Sequence, residues 1–350
     1  MYLEKIKIVD VEKFIVNKKK VYFKKDNKIF KNEELYLILE KDFFGNFDVF
    51  EDLIIIHNYR TSLSEIYLNK NLVKNFEGWF NYLCNDVFLF LNKKDFYVYE
   101  LNEINYSETK KGFNLSGFKF KDYYITISEI LIIYNYSTSE KLWQLALSSL
   151  GKFQTEFAGE KNYEVRQFVG VYKDVLWVFL NSQEFIGLDI NSGEIIHWLK
   201  GVKKENISGE IDEYLDEKDI YVFFDTNYLI DTKAKKIIGL KADRYYEIDL
   251  DSEFIEPKMF GLWTKMQNVG INKNDISSRN IVVDNNLYFY NHNDLKFAIF
   301  DIDTKEIIYV SDKLTQDESK RHQIKDFQVA NDKVYVLDST GDLYIFEKES

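Results

Sequence analysis

A β-propeller, built by radial repetition of four-stranded antiparallel sheets, is the fold class the sequence predicts. Three observations predict it. Apolar residues come in runs of four to six, rich in β-branched and aromatic side chains and bounded by turn residues, without a 3.6-residue period. These runs recur in groups of four along the whole chain. In the clearest group, residues 165–200, the run VLWVFL at 175–180 has no polar alternation, so the strand must be buried on both faces. A lone sheet with two apolar faces is unstable in water and needs a neighbour on each side, which radial repetition supplies.

Taken in order, 5–9 is a single amphipathic strand with no hairpin partner beside it. Groups of strands follow at 13–40, 47–76, 80–106, 118–147, 165–200, 211–240 and 279–310, and 324–348 supplies three strands more. The second strand of each group is expected to begin near Val21, Leu53, Val87, Tyr123, Val175, Ile220, Leu287 and Val334. That makes eight blades, with seven as the alternative count. The orphan strand at the N-terminus supplies the fourth strand of the last blade, which closes the ring and removes two sheet edges. The whole of 1–350 is then one propeller domain with two loop insertions, at 148–164 and 241–278. Within the second, 245–250 has an alternative reading as an extra strand.

A turn followed by a Trp near the start of the outer strand, STSEKLW at 137–143 and NSGEIIHW at 191–198, resembles the PQQ-type (quinoprotein-type) propeller repeat. The pattern at 287–301 and 334–346 is similar to it as well. The resemblance implies the propeller fold. The quinone site of such enzymes implies a vicinal cysteine pair, and this chain has one cysteine, Cys84, in an apolar run that suits a small buried hydrophobe. No cofactor is therefore expected.

The net charge of -12 argues against binding nucleic acid phosphates. No uncharged apolar run approaches the length of a membrane span, and the N-terminal residues lack the apolar core of a secretory signal, so a cytoplasmic setting is expected. His57, His197, His292 and His322 fall in different groups and read as structural. The Asp-rich segments 301–306 and 249–253 lack the Gly and distal Glu of a calcium loop, and the first reads as a hairpin turn capped by its own carboxylates. No nucleophile elbow, phosphate loop or dinucleotide motif occurs.

Function is expected where the repeat pattern fails. Residues 201–260 hold 15 acidic and 9 basic side chains, half of the net charge. Within them, Glu210, Asp212, Glu213 and Asp216 belong to an acidic run. The insertion that follows carries Tyr245, Tyr246, Phe260, Trp263 and Met266 among Asp249, Asp251, Glu253 and Glu256, and the first insertion carries Phe153 and Phe157. Aromatics inside an acidic rim fit a surface that anchors and steers a basic protein partner. The bland alternative is a satellite core beneath the insertion. The leading expectation is a non-enzymatic binding propeller, monomeric apart from its partner, in a specific form an immunity-type inhibitor of a basic toxin. A carbohydrate-active hydrolase or lyase with its site at the channel mouth, and a structural subunit of a larger assembly, are the rivals.

Overall fold

The computed structural model describes residues 2–40, 43–81, 88–102, 105–113, 117–127, 129–155, 158–205, 220–221, 223, 226–272, 276–277, 279–315 and 322–348. Nearly all of its regular elements are short antiparallel strands. They form two compact units, one of residues 10–151 with 191–193, the other of the remaining chain.

In the first unit, Lys13–Asn17, Lys20–Lys25, Lys28–Lys31 and Glu34–Ile38 pair in sequence order as one sheet. Gly117–Phe120, Tyr123–Ile127, Ile130–Asn135 and Lys141–Ala146 form another. Between them in the chain lies a seven-stranded sheet running from Gly45–Phe50 to Glu108–Lys110. Its strand Asn71–Asn81 serves two sets: the first part pairs with Leu63–Leu68 and the end with Phe88–Asn92.

Gly78 makes that handover possible. Its φ is 155°, and a Cβ there would lie 2.2 Å from the carbonyl oxygen of Leu91. Its own carbonyl accepts the Ser64 hydroxyl at 2.9 Å, and Ser64 Oγ lies 2.7 Å from His57 Nδ1. The serine proton is committed to Gly78, so His57 Nδ1 donates to Ser64, and burial pushes the imidazole pKa down. Gly78→Ala therefore forces backbone to move, and an expected loss of about 1–3 kcal/mol should appear as a lower urea midpoint with an unchanged slope.

In the second unit, Val165–Tyr172, Val175–Leu180, Phe185–Asp189 and Ile195–Leu199 form one sheet, as the 165–200 stretch predicts. Ile281–Val283, Asn286–Asn291, Lys296–Asp301 and Glu306–Val310 form a second. Ile324–Ala330, Lys333–Asp338 and Leu343–Lys348 form a third, whose fourth strand is the N-terminal Tyr2–Ile8. Tyr2 is held by its hydroxyl, 3.1 Å from that of Tyr288, and by its carbonyl, which accepts the Tyr309 hydroxyl at 2.9 Å.

The sixth group differs from expectation. Its sheet consists of Leu229–Asp231, Lys236–Lys241, Arg244–Asp249 and Pro257–Gly261, extended by Val202–Glu205 and Ile220–Tyr221. Within the expected loop at 241–278, Arg244–Asp249 and Pro257–Gly261 are thus sheet, and the 245–250 strand belongs to the blade itself. The hairpin at 242–243 hides from sequence because Ala242, not Gly or Asn, takes the positive φ, 51°. Pro257 is the first residue of its strand, a position where a missing N–H is tolerated. The other expected second strands begin within a residue of prediction, at Lys20, Leu53, Tyr123, Val175, Asn286 and Lys333. Val87 and Cys84 lie outside the described residues.

Six strands that end a four-strand set share a device not visible in the sequence. Within each, one extra residue bulges out of register: Lys5, Tyr36, Val73, Leu142, Ile196 and Ile308. A bulge twists an exposed edge away from further pairing. It also fixes the tryptophan offset. Trp143 stands opposite Ile133 at the bulge, and in the 165–199 sheet that place is taken by His197, opposite Gly187. One residue of slip moves a side chain to the other face. His197 lies flat on Trp177, with centroids 5.3 Å apart, and Trp198 instead meets Tyr163 and donates Nε1–H to Glu184 at 3.0 Å.

The core is the space between consecutive sheets. Trp177, Phe179 and Phe185 pack with Phe223, Tyr228, Tyr246, Ile248 and Met259. Leu240, Tyr245 and Met266 pack with Phe289 and Phe300, and Phe297 packs with Phe327 and Tyr344. Full burial of each such side chain is worth about 1.5–3 kcal/mol.

Candidate partner-binding surface

The expected surface residues separate into three groups. Tyr245 and Tyr246 are on a strand buried on both faces, and Met266 is on the buried side of the short helix Trp263–Asn268; their exposures are 0%, 1% and 0%. Burial removes these three from anything a partner touches, which corrects the expectation for them. Glu210, Asp212, Glu213, Asp216 and Phe157 lie outside the described residues. The others are split along Pro257–Gly261: Asp249, Asp251, Glu253 and Glu256 precede this strand and Trp263 follows it. Five strand residues span about 16 Å, so the sheet presents two separate ends rather than one surface.

At the first end the chain turns through 250–256. Asp251 is its anchor. Its carboxylate accepts the Tyr172 hydroxyl at 2.8 Å and pairs with Lys173 and Lys235, each at 2.7 Å. Asp251 N–H donates to Asp249 Oδ1 at 3.0 Å. Leu250 points into the core. The hydrogen bonds from Lys173, Lys235 and Tyr172 hold the Asp251 carboxyl far below the usual carboxylate range. A depressed carboxylate stabilises the fold above its unfolded pKa, and that contribution is lost as pH falls through its folded value. Asp251→Asn should therefore flatten the acid side of the stability–pH profile, measured by thermal denaturation between pH 2 and 7.

What this anchored turn presents is acidic with one apolar tip. Asp249, Glu253 and Glu256 are exposed, and Phe254 between them is 74% exposed, the most exposed large apolar side chain among the described residues. Sequence reading missed Phe254, although it sits inside the acidic rim. Its signal was the seven-residue turn itself, longer than the two-residue hairpin at 242–243.

At the other end Trp263 is 39% exposed. Phe260 is half-buried, and Lys305 covers it. The Lys305 ammonium lies 5.1 Å from the ring centroids of both Tyr245 and Phe260 and pairs with the Glu247 carboxylate. Glu247, itself buried, also takes Lys236 at 3.2 Å and the Tyr245 hydroxyl at 3.2 Å. Desolvation pushes the Lys305 pKa down, against the pull of Glu247. This network is a structural link between two sheets rather than a reactive centre, because both charges are consumed by it.

Phe153 lies on a separate hairpin, Lys152–Thr155 with Gly159–Asn162, half-buried and 5.2 Å from Tyr163. The remaining chemistry-bearing groups have structural partners. His322 Nδ1 meets Asp338 at 3.0 Å, and His292 Nδ1 meets the Ile324 carbonyl at 3.0 Å. Asp301 Oδ1 accepts the N–H groups of Asp303 and Thr304, so 301–306 is the self-capped turn the sequence suggests. Among the described residues no three His, Cys, Asp or Glu side chains are grouped to hold a metal.

No protein-family model matches the sequence, and no curated protein matches it. Solved structures do. BamB from Moraxella catarrhalis matches with a TM-score of 0.57 and 8% identity, over 100% of this chain and 98% of that one. Sqt1 from Saccharomyces cerevisiae matches at 0.59 with 14% identity, over 100% and 98%. The computationally designed Ika8 protein matches at 0.58 with 9% identity, over 97% and 96%. BamB and Sqt1 are β-propellers, and the likeness shows that fold for this chain.

Proposed function

We propose that this β-propeller is a non-enzymatic binding module that holds a basic protein against the turn 249–256. The observation that carries the reading is Phe254, 74% exposed on a turn whose backbone is fixed by Asp251 and whose flanks are acidic. An aromatic anchor held ready in one conformation binds at low entropic cost, and surrounding charges of one sign steer the partner. The distribution of charge supports it. Residues 10–151 hold 19 basic and 20 acidic side chains, so nearly all of the net charge of -12 belongs to the unit that bears this turn. Inhibition of a basic toxin is the specific form we favour, because such a protein would meet this surface with opposite charge. Eight blades, the last completed by Tyr2–Ile8, are the architecture that goes with it, supported by the eight sequence groups and the pairing of that strand with Leu343–Lys348.

The test is co-purification from the native host. A stoichiometric basic partner is expected at low salt, released as salt rises. Glu253→Lys with Glu256→Lys should reduce its recovery at least about tenfold, since reversing charges at an interface costs several kcal/mol. Unchanged recovery by that variant would remove the reading.

A further inference from the structure

We propose that the edge strand Glu108–Lys110 pairs with the same strand of a second copy of this chain, joining two sheets across a two-fold axis. The bulges give the first reason. Six strands that end a four-strand set carry an extra residue, which turns an edge away from further pairing. The two other described strands in that position, Pro257–Gly261 and Glu108–Lys110, keep an unbroken register with their neighbours. The first of them is extended by the chain itself. Val202–Glu205 lies along it in parallel, with Lys203, Lys204 and Glu205 opposite Lys258, Met259 and Phe260. In this protein the unbulged strand with a known neighbour is thus one that receives a further strand. Glu108–Lys110 ends its sheet, and no further strand covers it among the described residues.

The backbone of this edge faces the right way. Lys111 N–H donates to the Val98 carbonyl at 2.8 Å, and the Ser107 carbonyl accepts the Asn102 N–H at 2.9 Å. Ser107, Thr109 and Lys111 therefore point into the sheet, and strand alternation turns the N–H and C=O groups of Glu108 and Lys110 away from it. No described residue bonds to those groups, and all three strand residues are exposed. Antiparallel pairing about Thr109 sets Glu108 opposite Lys110 of the second copy, where the two residues exchange both backbone hydrogen bonds. Opposite charges directly across a strand pair stabilise it, and like charges destabilise it. The antiparallel register gives Glu with Lys twice, whereas parallel pairing in register would give Glu with Glu and Lys with Lys. Within its own chain Glu108 pairs with Lys74 at 2.8 Å and Lys110 with Asp95 at 2.9 Å. The joined edge then alternates in sign from Lys74 and Glu108 of one copy to Lys110 and Asp95 of the other. Net charge does not oppose the approach, because residues 10–151, the unit that bears this edge, hold 19 basic and 20 acidic side chains. One short strand from each copy is far less than a permanent dimer buries, so the pair forms reversibly. Such a pair departs from the monomer expected from sequence. It needs no other protein, so it stands or fails separately from the binding reading.

Sedimentation equilibrium of the purified full chain, from about 10 µM to about 1 mM, tests it. A monomer–dimer equilibrium is expected in that range. Glu108→Lys and Lys110→Glu should each weaken it at least about tenfold, because like charges then face each other across the pair. An equimolar mixture of the two variants should restore association, since every couple is again Glu with Lys. Both variants should keep the melting temperature of the wild type, because exposed ion pairs add little to stability. Glu108→Pro should abolish the dimer while Glu108→Ala only weakens it: both lose the pair with Lys74, and the proline alone also removes the outward N–H. Should Glu108→Pro fail to fold, the mixing experiment carries the comparison. A monomer throughout the range, equal association in wild type and both charge variants, or a mixture no tighter than its components would overturn the proposal.

Discussion

Glu247→Ala is expected to destabilise the fold by about 3–5 kcal/mol, because it leaves a buried cation without its counter-charge. Lys305 reaches Glu247 from the turn before Glu306–Val310, and its ammonium also faces the rings of Tyr245 and Phe260. Those rings offset only a fraction of the lost pairing, about 0.5–2 kcal/mol between them. The pH dependence has a definite sign. Burial holds the Lys305 pKa below that of the unfolded chain. Between the two values the unfolded chain binds more protons, so stability rises with pH through that window. Removing Glu247 lowers the folded pKa further and extends the window toward neutrality. The variant should thus be weakest near pH 7 and recover part of its loss toward pH 10. Lys305→Met removes the charge together with its need for a partner and should cost less than Glu247→Ala. The double variant should recover much of the loss. Urea denaturation at pH 7 and 10 reads all three.

Trp177→Ala should cost a comparable amount, about 3–5 kcal/mol, through lost burial and the cavity left behind. Trp177 is 1% exposed and belongs to the cluster shared by the 165–199 and 229–261 sheets. A second reading distinguishes this from a general loss of stability. Burial, in part beneath the Trp177 ring, pushes the His197 pKa down. Without the indole the imidazole gains water, and its pKa should return toward the ordinary histidine value. An NMR titration of the His197 ring in the folded variant measures that shift.

The repeat was legible wherever a strand pair ended in a recognisable turn. Asn191, Ser192 and Gly193 marked one hairpin, and Asp301 to Glu306 another. It was not legible at 242–243, where Ala242 adopts the turn conformation that glycine and asparagine usually signal. The apolar segments around Ile220 and Ile237 then compete for the same place in the pattern, and the structure puts the second strand at Lys236–Lys241. The burial of Tyr245 and Tyr246 follows the rule that identified 175–180: neighbouring residues on a strand point to opposite faces, so two adjacent buried aromatics mean a strand covered on both sides. The bulges left no trace, because an extra residue in an outer strand alters neither composition nor length enough to be seen. Phe254 is hidden from sequence because apolar residues ordinarily point inward. Only the anchoring of its turn by Asp251 shows that this one is held out.

The most direct measurement of the binding reading places a photo-reactive phenylalanine analogue at position 254 and irradiates it in the native host. Binding through the 249–256 turn predicts one dominant adduct, a basic protein, that disappears when Glu253 and Glu256 are changed to lysine. The same analogue at Leu72, 49% exposed but in the other unit, should give no such adduct. An adduct of equal yield at Leu72, or none at position 254 while the partner still co-purifies, would contradict it.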